Sequence, residues 1–162
     1  MSFQTTFEKN KVMKPLIVLL SVFAVSILAM KIFTGSFEFI VPGRIAMSVM
    51  LLFTAMGHFV FTKGMSMMLP SFIPYKTELV YMTGIIELAA AIGLFVPSVR
   101  MLTGWLLIAF FILILPANIY AAKKHVNYQK GTFEGTGLMY LWFRIPLQVV
   151  FIVWTYFSAI KA

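Results

Sequence analysis

Long apolar runs separated by short polar segments divide this chain into five stretches of similar length, at about 16–33, 44–62, 78–96, 101–122 and 138–160. Each is close to the ~20 residues that a helix needs to cross a bilayer core. The runs are continuously apolar rather than alternating, which favours helices over the strands of a membrane barrel. The pattern therefore predicts an all-α polytopic membrane protein. Its core is an antiparallel four-helix transmembrane bundle built from the last four runs, with one extra N-terminal transmembrane helix to make five spans. The first run has the basic start of a secretory signal, but no small-residue cleavage site ends it and it is long for such a signal, so a retained helix is expected.

Proline and glycine punctuate the runs. Pro42 and Gly43 stand just before the second as start signals, and Pro97 stops the third. The short turn from Pro97 to Arg100 makes the third and fourth helices antiparallel neighbours. Pro116 and Pro146 fall inside the fourth and fifth runs. Each removes a helical donor and crowds the carbonyl four residues earlier, so kinks are expected there.

Composition narrows this picture. Of 162 residues, 61% are apolar and 11% charged, with a mean hydropathy of +0.96, which suits a single transmembrane domain over 16–162. The net charge of +8 comes largely from lysines between the runs. No basic stripe with interleaved aromatics lies outside the apolar segments, so no nucleic-acid partner is expected. Five spans place Lys9, Lys11, Lys14, Lys63, Lys76, Lys123, Lys124 and Lys130 on one side, against Lys31, Arg44, Arg100 and Lys161 on the other. That bias puts the tail 1–15 and the N-terminus in the cytoplasm, and the C-terminus on the periplasmic or extracellular side. The chain has no cysteine, which removes thiol chemistry and thiolate metal sites. Residues 123–137 read as a solvated loop. Residues 63–77 are apolar, Met-rich and broken by Pro70 and Pro74, as a segment lying in the interface or folding over the bundle would be.

Few polar side chains remain inside the runs. Glu87 lies within Thr83–Pro97, a stretch otherwise free of charge, and an unpaired charge there costs several kcal/mol. At ~1.5 Å per residue, His58 and Asn118 lie about 6 Å from the cytoplasmic ends of their runs, Arg144 about 9 Å and Glu87 about 13 Å. Arg144 is the one arginine well inside a span, and its fork of donors suits a carboxylate, so a Glu87–Arg144 pair is expected with His58 and Asn118 nearby. Tyr140, Arg144, Gln148 and Thr155 form a stripe on the fifth helix, and Gly84, Glu87 and Ala91 share a face of the third. Glu87, Arg144, His58, Asn118, Gln148 and Tyr140 are thus the candidate ligand-binding set. Glu87 and His58 are the candidates for acid–base catalysis. No metal site is expected, because Arg144 would oppose a cation at His58 and Glu87. A cluster that only fixes helix packing accounts for the same residues.

Gly57-His58-Phe59, Pro70, Ile73-Pro74, Gly84 with Glu87, Gly93-Leu94, Pro97 with Arg100, Pro116-Ala117-Asn118 and Trp142-Phe143-Arg144-Ile145-Pro146-Leu147-Gln148 occur in an order and spacing that resembles the DoxX-like family of small bacterial membrane proteins. The resemblance covers about 44–159. It implies a multi-pass protein of the bacterial inner membrane, acting as an accessory subunit of a redox or maturation system, with other membrane or redox subunits as partners. A quinone-like or amphipathic ligand is the small molecule it implies. Some relatives carry cysteine pairs and this chain has none, so a thiol relay does not carry over. The architecture is also similar to four-helix sterol-isomerase-like membrane proteins, which adds an intramembrane acid–base enzyme to the alternatives. A purely structural assembly partner is the third.

Overall fold

A computed structural model describes residues 13–161, so the expected cytoplasmic tail lies, up to residue 12, outside the described residues. The helices are α1 (Lys14–Thr34), α2 (Ile40–Val60), α3 (Thr62–Ser66), α4 (Lys76–Gly93), α5 (Arg100–Leu113), α6 (Leu115–Lys123) and α7 (Leu138–Thr155), which runs on into a π-helix at Tyr156–Ile160. Among the described residues there is no strand, only an isolated bridge between Asn127 and Thr132.

Four helical stretches are long and apolar enough to cross a membrane: Lys14–Thr34, Ile40–Val60, Arg100–Lys123 and Leu138–Ile160. The third sequence run, now α4, is 18 residues long and carries Lys76, Glu78 and Glu87. Its sparser apolar content separates it from the other four. Outward faces are apolar: Ile32, Phe33 and Trp142 each keep four fifths or more of their surface exposed. Exposed apolar surface on this scale is what a lipid environment covers.

The boundaries depart from the sequence reading in instructive ways. α2 begins at Ile40, so Pro42 and Gly43 are inside it rather than ahead of it. The first-turn amides of a helix have no partner, and a proline among them costs nothing. α1 ends where expected, at Gly35, whose left-handed φ of 73° lets its N–H cap the carbonyl of Lys31. The fourth run breaks at Ile114, giving α5 and α6, with Pro116 in the first turn of α6. Pro146 sits within α7 without ending it.

α2 is the central element, packing along both α1 and α4. α4 meets α5 near their joining turn, where a Cβ on Gly93 would lie against the Thr103 side chain. α7 packs on α5 and α6, and the π-helix on α5 and α2. The apolar core between them includes Leu19, Met47, Leu51, Leu94, Leu107 and Phe111, all essentially buried. α3 and the loop after α6 close one end together. Gly64 presses against the Tyr128 backbone, and the Phe61 and Tyr128 rings meet edge to face at 6.1 Å.

Candidate functional site

Close packing of α4 on α2 builds the first half of the site. Gly84 lets the backbones approach, since a Cβ there would lie 3.0 Å from the His58 Cβ and 3.2 Å from the Phe59 ring. Two turns further along, Ser48 Oγ donates to the Ala91 carbonyl at 3.0 Å. The face Gly84–Glu87–Ala91 is thus the packing face of α4, as its small residues suggested, but it looks onto α2.

This seating gives Glu87 its partner. Glu87 is buried, and its Oε2 lies 3.5 Å from His58 Nε2, the one ion pair within 4.0 Å among the described residues. The expected Glu87–Arg144 pair is not formed. Depth along each helix says nothing about which helices adjoin, and α4 packs on α2 rather than along α7. The His58–Glu87 contact is an ion-pair distance and not a made hydrogen bond, for Oε2 has no hydrogen-bond partner.

The other imidazole nitrogen identifies where the protons lie. Thr83 Oγ1 donates its single proton to the Val80 carbonyl at 2.7 Å. It must therefore accept from His58 Nδ1, 2.9 Å away. With Nδ1 protonated, Nε2 faces Glu87 in one of two ways. Either it carries a second proton and meets a carboxylate, or it presents a lone pair to a protonated carboxyl. The two states differ by the position of one proton along a single N···O line.

The second half of the site lies on α6 and α7. Asn118, Gln148 and Thr155 are buried. Tyr140 donates its hydroxyl to Asn118 Oδ1 at 3.1 Å, and Gln148 Nε2 donates to the carbonyl of Phe111 at 3.2 Å. That carbonyl belongs to the last turn before the break at Ile114, where a helix has backbone acceptors to spare. Arg144 is half-buried, and its Nε has no partner among the described residues. Asn118 Nδ2 and Gln148 Oε1 are likewise buried without a partner.

Both halves sit toward the same end of the molecule. His58 is within a turn of the end of α2, Asn118 is near the end of α6, and α3 and the loop after α6, which follow those ends, pack together over them. The structure brings His58 to Glu87 and Asn118 to Tyr140, and among the described residues Arg144 has no carboxylate partner. Two residues outside the candidate set matter. Thr83, four residues before Glu87 on the same face, orients His58, and that spacing was available in the sequence. Arg44, counted there as a loop cation, is buried with Nε donating to the Ser158 carbonyl at 2.7 Å. Among the described residues no group of three or more His, Asp or Glu side chains gathers as a metal site would.

No curated protein and no solved structure matches this chain. A family described as a domain of unknown function, DUF8561, matches residues 47–159, a span that holds every candidate site residue named above. This chain belongs to the DUF8561 family.

Proposed function

We propose that this chain is a multi-pass bacterial inner-membrane protein that binds a small amphipathic molecule with a polar, quinone-like head in the cytoplasmic half of the bilayer, as a DoxX-like accessory subunit of a membrane redox or maturation system. In this reading all five long helical stretches cross the membrane as an antiparallel bundle with the N-terminus inside, following the bias of eight cations against four. The DoxX-like resemblance and the DUF8561 match cover nearly the same residues.

One observation carries the binding reading. Glu87 Oε2, Asn118 Nδ2, Arg144 Nε and Gln148 Oε1 are all buried polar atoms without a hydrogen-bond partner among the described residues. Leaving such an atom unsatisfied costs about 1–3 kcal/mol, more when charged, and in hydrocarbon no solvent relieves it. Two donors and two acceptors at one end of the molecule suit a head group bearing carbonyl and hydroxyl oxygens. A quinone would accept from Asn118 and Arg144, and a quinol would donate to Glu87 or Gln148. The test is small-molecule analysis of protein purified in mild detergent, followed by titration with a soluble ubiquinone analogue. Wild-type protein should bind, and Glu87→Gln and Asn118→Leu should each weaken binding at least tenfold. Unchanged binding in both variants would sink the proposal.

The His58–Glu87 contact favours a second reading, an acid–base enzyme that shifts a double bond. Glu87 as carboxylate would take a proton from one carbon of the substrate while protonated His58 delivers one to another, with no net redox change. Thr83 holds the imidazole as such a mechanism needs. Incorporation of solvent deuterium into a bound isoprenoid or sterol probe, lost in His58→Gln, distinguishes this reading from binding alone. If instead Arg144→Leu unfolds the protein and no small molecule is ever retained, the cluster is a structural clamp.

A further inference from the structure

At the opposite end from this site, about 22 Å along α2 from His58 at ~1.5 Å per residue, a groove of about 630 Å³ opens between α1, the start of α2 and the end of α7. Its lining includes Phe23, Phe39, Gly43, Val150 and Trp154, with Lys161 at the rim. The volume falls within the roughly 300–1,000 Å³ usual for ligand sites. The walls are held in place. Trp154 Nε1 donates to the Gly43 carbonyl at 2.9 Å, and its ring meets Phe23 edge to face at 4.7 Å and 74°. Gly43 keeps this wall thin, since a Cβ there would come within 3.2 Å of the Ser158 Cβ.

The charge at this end is mainly positive, with Glu38 in the connection between α1 and α2 as the one acidic side chain there among the described residues. Arg44 is tied to Ser158, Gly104 near the start of α5 meets Ile160, and α1 ends just before α2 begins. Lys31, Arg44, Arg100 and Lys161 therefore share this end. Among the described residues none of them has a carboxylate within 4.0 Å. Lys31 and Lys161 instead rest over the rings of Phe37 and Phe157, at 4.3 Å and 5.3 Å. An apolar slot with Lys161 at its rim, at an end where four cations outnumber one glutamate, is complementary to a molecule with a hydrocarbon chain and an anionic head.

We infer that this groove holds one acyl chain of an anionic phospholipid, with the lipid phosphate paired to Lys161. The chain lies on Val150 and Trp154, and the head group reaches the cations at the membrane surface. A specific lipid at this position would join α1 to the rest of the bundle, because Phe23 contributes one wall and Trp154 the other. The inference rests on residence in a bilayer and not on what the polar site at the other end binds.

The experiment is native mass spectrometry of the full chain in mild detergent, offered equal amounts of dioleoyl phosphatidylglycerol and dioleoyl phosphatidylcholine. The two lipids share their chains, so only the head group distinguishes them. Wild-type protein should retain one lipid and favour phosphatidylglycerol about fivefold, the share of a single basic residue near an anionic head. Lys161→Gln should remove the preference while keeping the lipid. Val150→Trp should fill the groove and abolish retention of both lipids, and Val153→Trp on the same wall serves if that variant does not fold. Equal retention of the two lipids by wild-type protein overturns the inference. So does undiminished retention in a folded groove-filling variant, or a second copy of the chain held in place of lipid.

Discussion

Thr83 controls more than its size suggests, because its one hydroxyl proton is already given to Val80 and its lone pair is what His58 Nδ1 binds. Thr83→Val keeps the shape and removes that acceptor. A half-buried ring N–H left without a partner costs up to about 1–3 kcal/mol, so the variant should melt at a lower temperature in detergent. It should also weaken ligand binding, because the imidazole is no longer held with Nε2 toward Glu87. Thr83→Ser keeps the hydroxyl and should restore both properties. Equal behaviour of the two variants would mean that the bond to His58 does not set the ring. Gly64 makes a simpler case. A Cβ there would overlap the backbone carbonyl of Tyr128, and backbone cannot step aside as a side-chain tip can. Gly64→Ala should cost about 1–3 kcal/mol by forced separation, read as a lower midpoint in thermal unfolding. The residues of this site were legible one at a time, since a few polar side chains in long apolar runs select themselves. Their pairing was not. Glu87 and Arg144 stood out as opposite charges at similar depth, but only the packing of Gly84 against His58 decides which neighbour Glu87 meets.

Helix boundaries show the same division between local and tertiary information. The end of α1 at Gly35 follows from a local rule. The start of α2 ahead of Pro42 and Gly43 required knowing that the chain was already helical before it reached them. Pro116 is legible as an interruption, and the structure adds its consequence: Gln148 donates to the carbonyl of Phe111, beside the break. Two features accompany the break at Ile114, the missing proline amide and this side-chain bond, and their contributions are separable. Spin labels on Leu102→Cys and Lys123→Cys report the span of α5 and α6 together, and the absence of native cysteine makes the labelling clean. A continuous straight helix would separate those positions by roughly 32 Å at ~1.5 Å per residue. Pro116→Ala should bring the measured distance to that value, and making the helix continuous should carry Asn118 out of register with Tyr140. A distance that changes with Gln148→Leu instead would make the side chain, and not the proline, the cause.

On the scale of the whole molecule the open step is α4. Its 18 residues reach about 27 Å at ~1.5 Å per residue, just short of the ~30 Å hydrocarbon core. Lys76 and Glu78 lie in its first turn, where they can reach the interface, with Lys76 Nζ donating to the Leu69 carbonyl. That leaves Glu87 as the one charge at depth, and its contact with His58 supplies the partner such a position requires. The burial of Glu87 against α2 would allow so short and charged a helix to cross, and the prediction is that it does. Single cysteines at Lys76, Ser98 and Lys130 should be tested with an impermeant thiol reagent on intact cells and on inverted membranes. Lys76→Cys and Lys130→Cys should label only from the cytoplasmic face, and Ser98→Cys only from outside. If Lys76→Cys and Ser98→Cys label from the same face, α4 does not cross, the chain has an even number of spans, and both ends of α4 lie on one side. Combining Ser98→Cys with Glu87→Lys adds a second arm. A lysine facing His58 would lose the compensation at depth, so labelling of Ser98→Cys from outside should fall sharply if that compensation is what seats α4 across the bilayer.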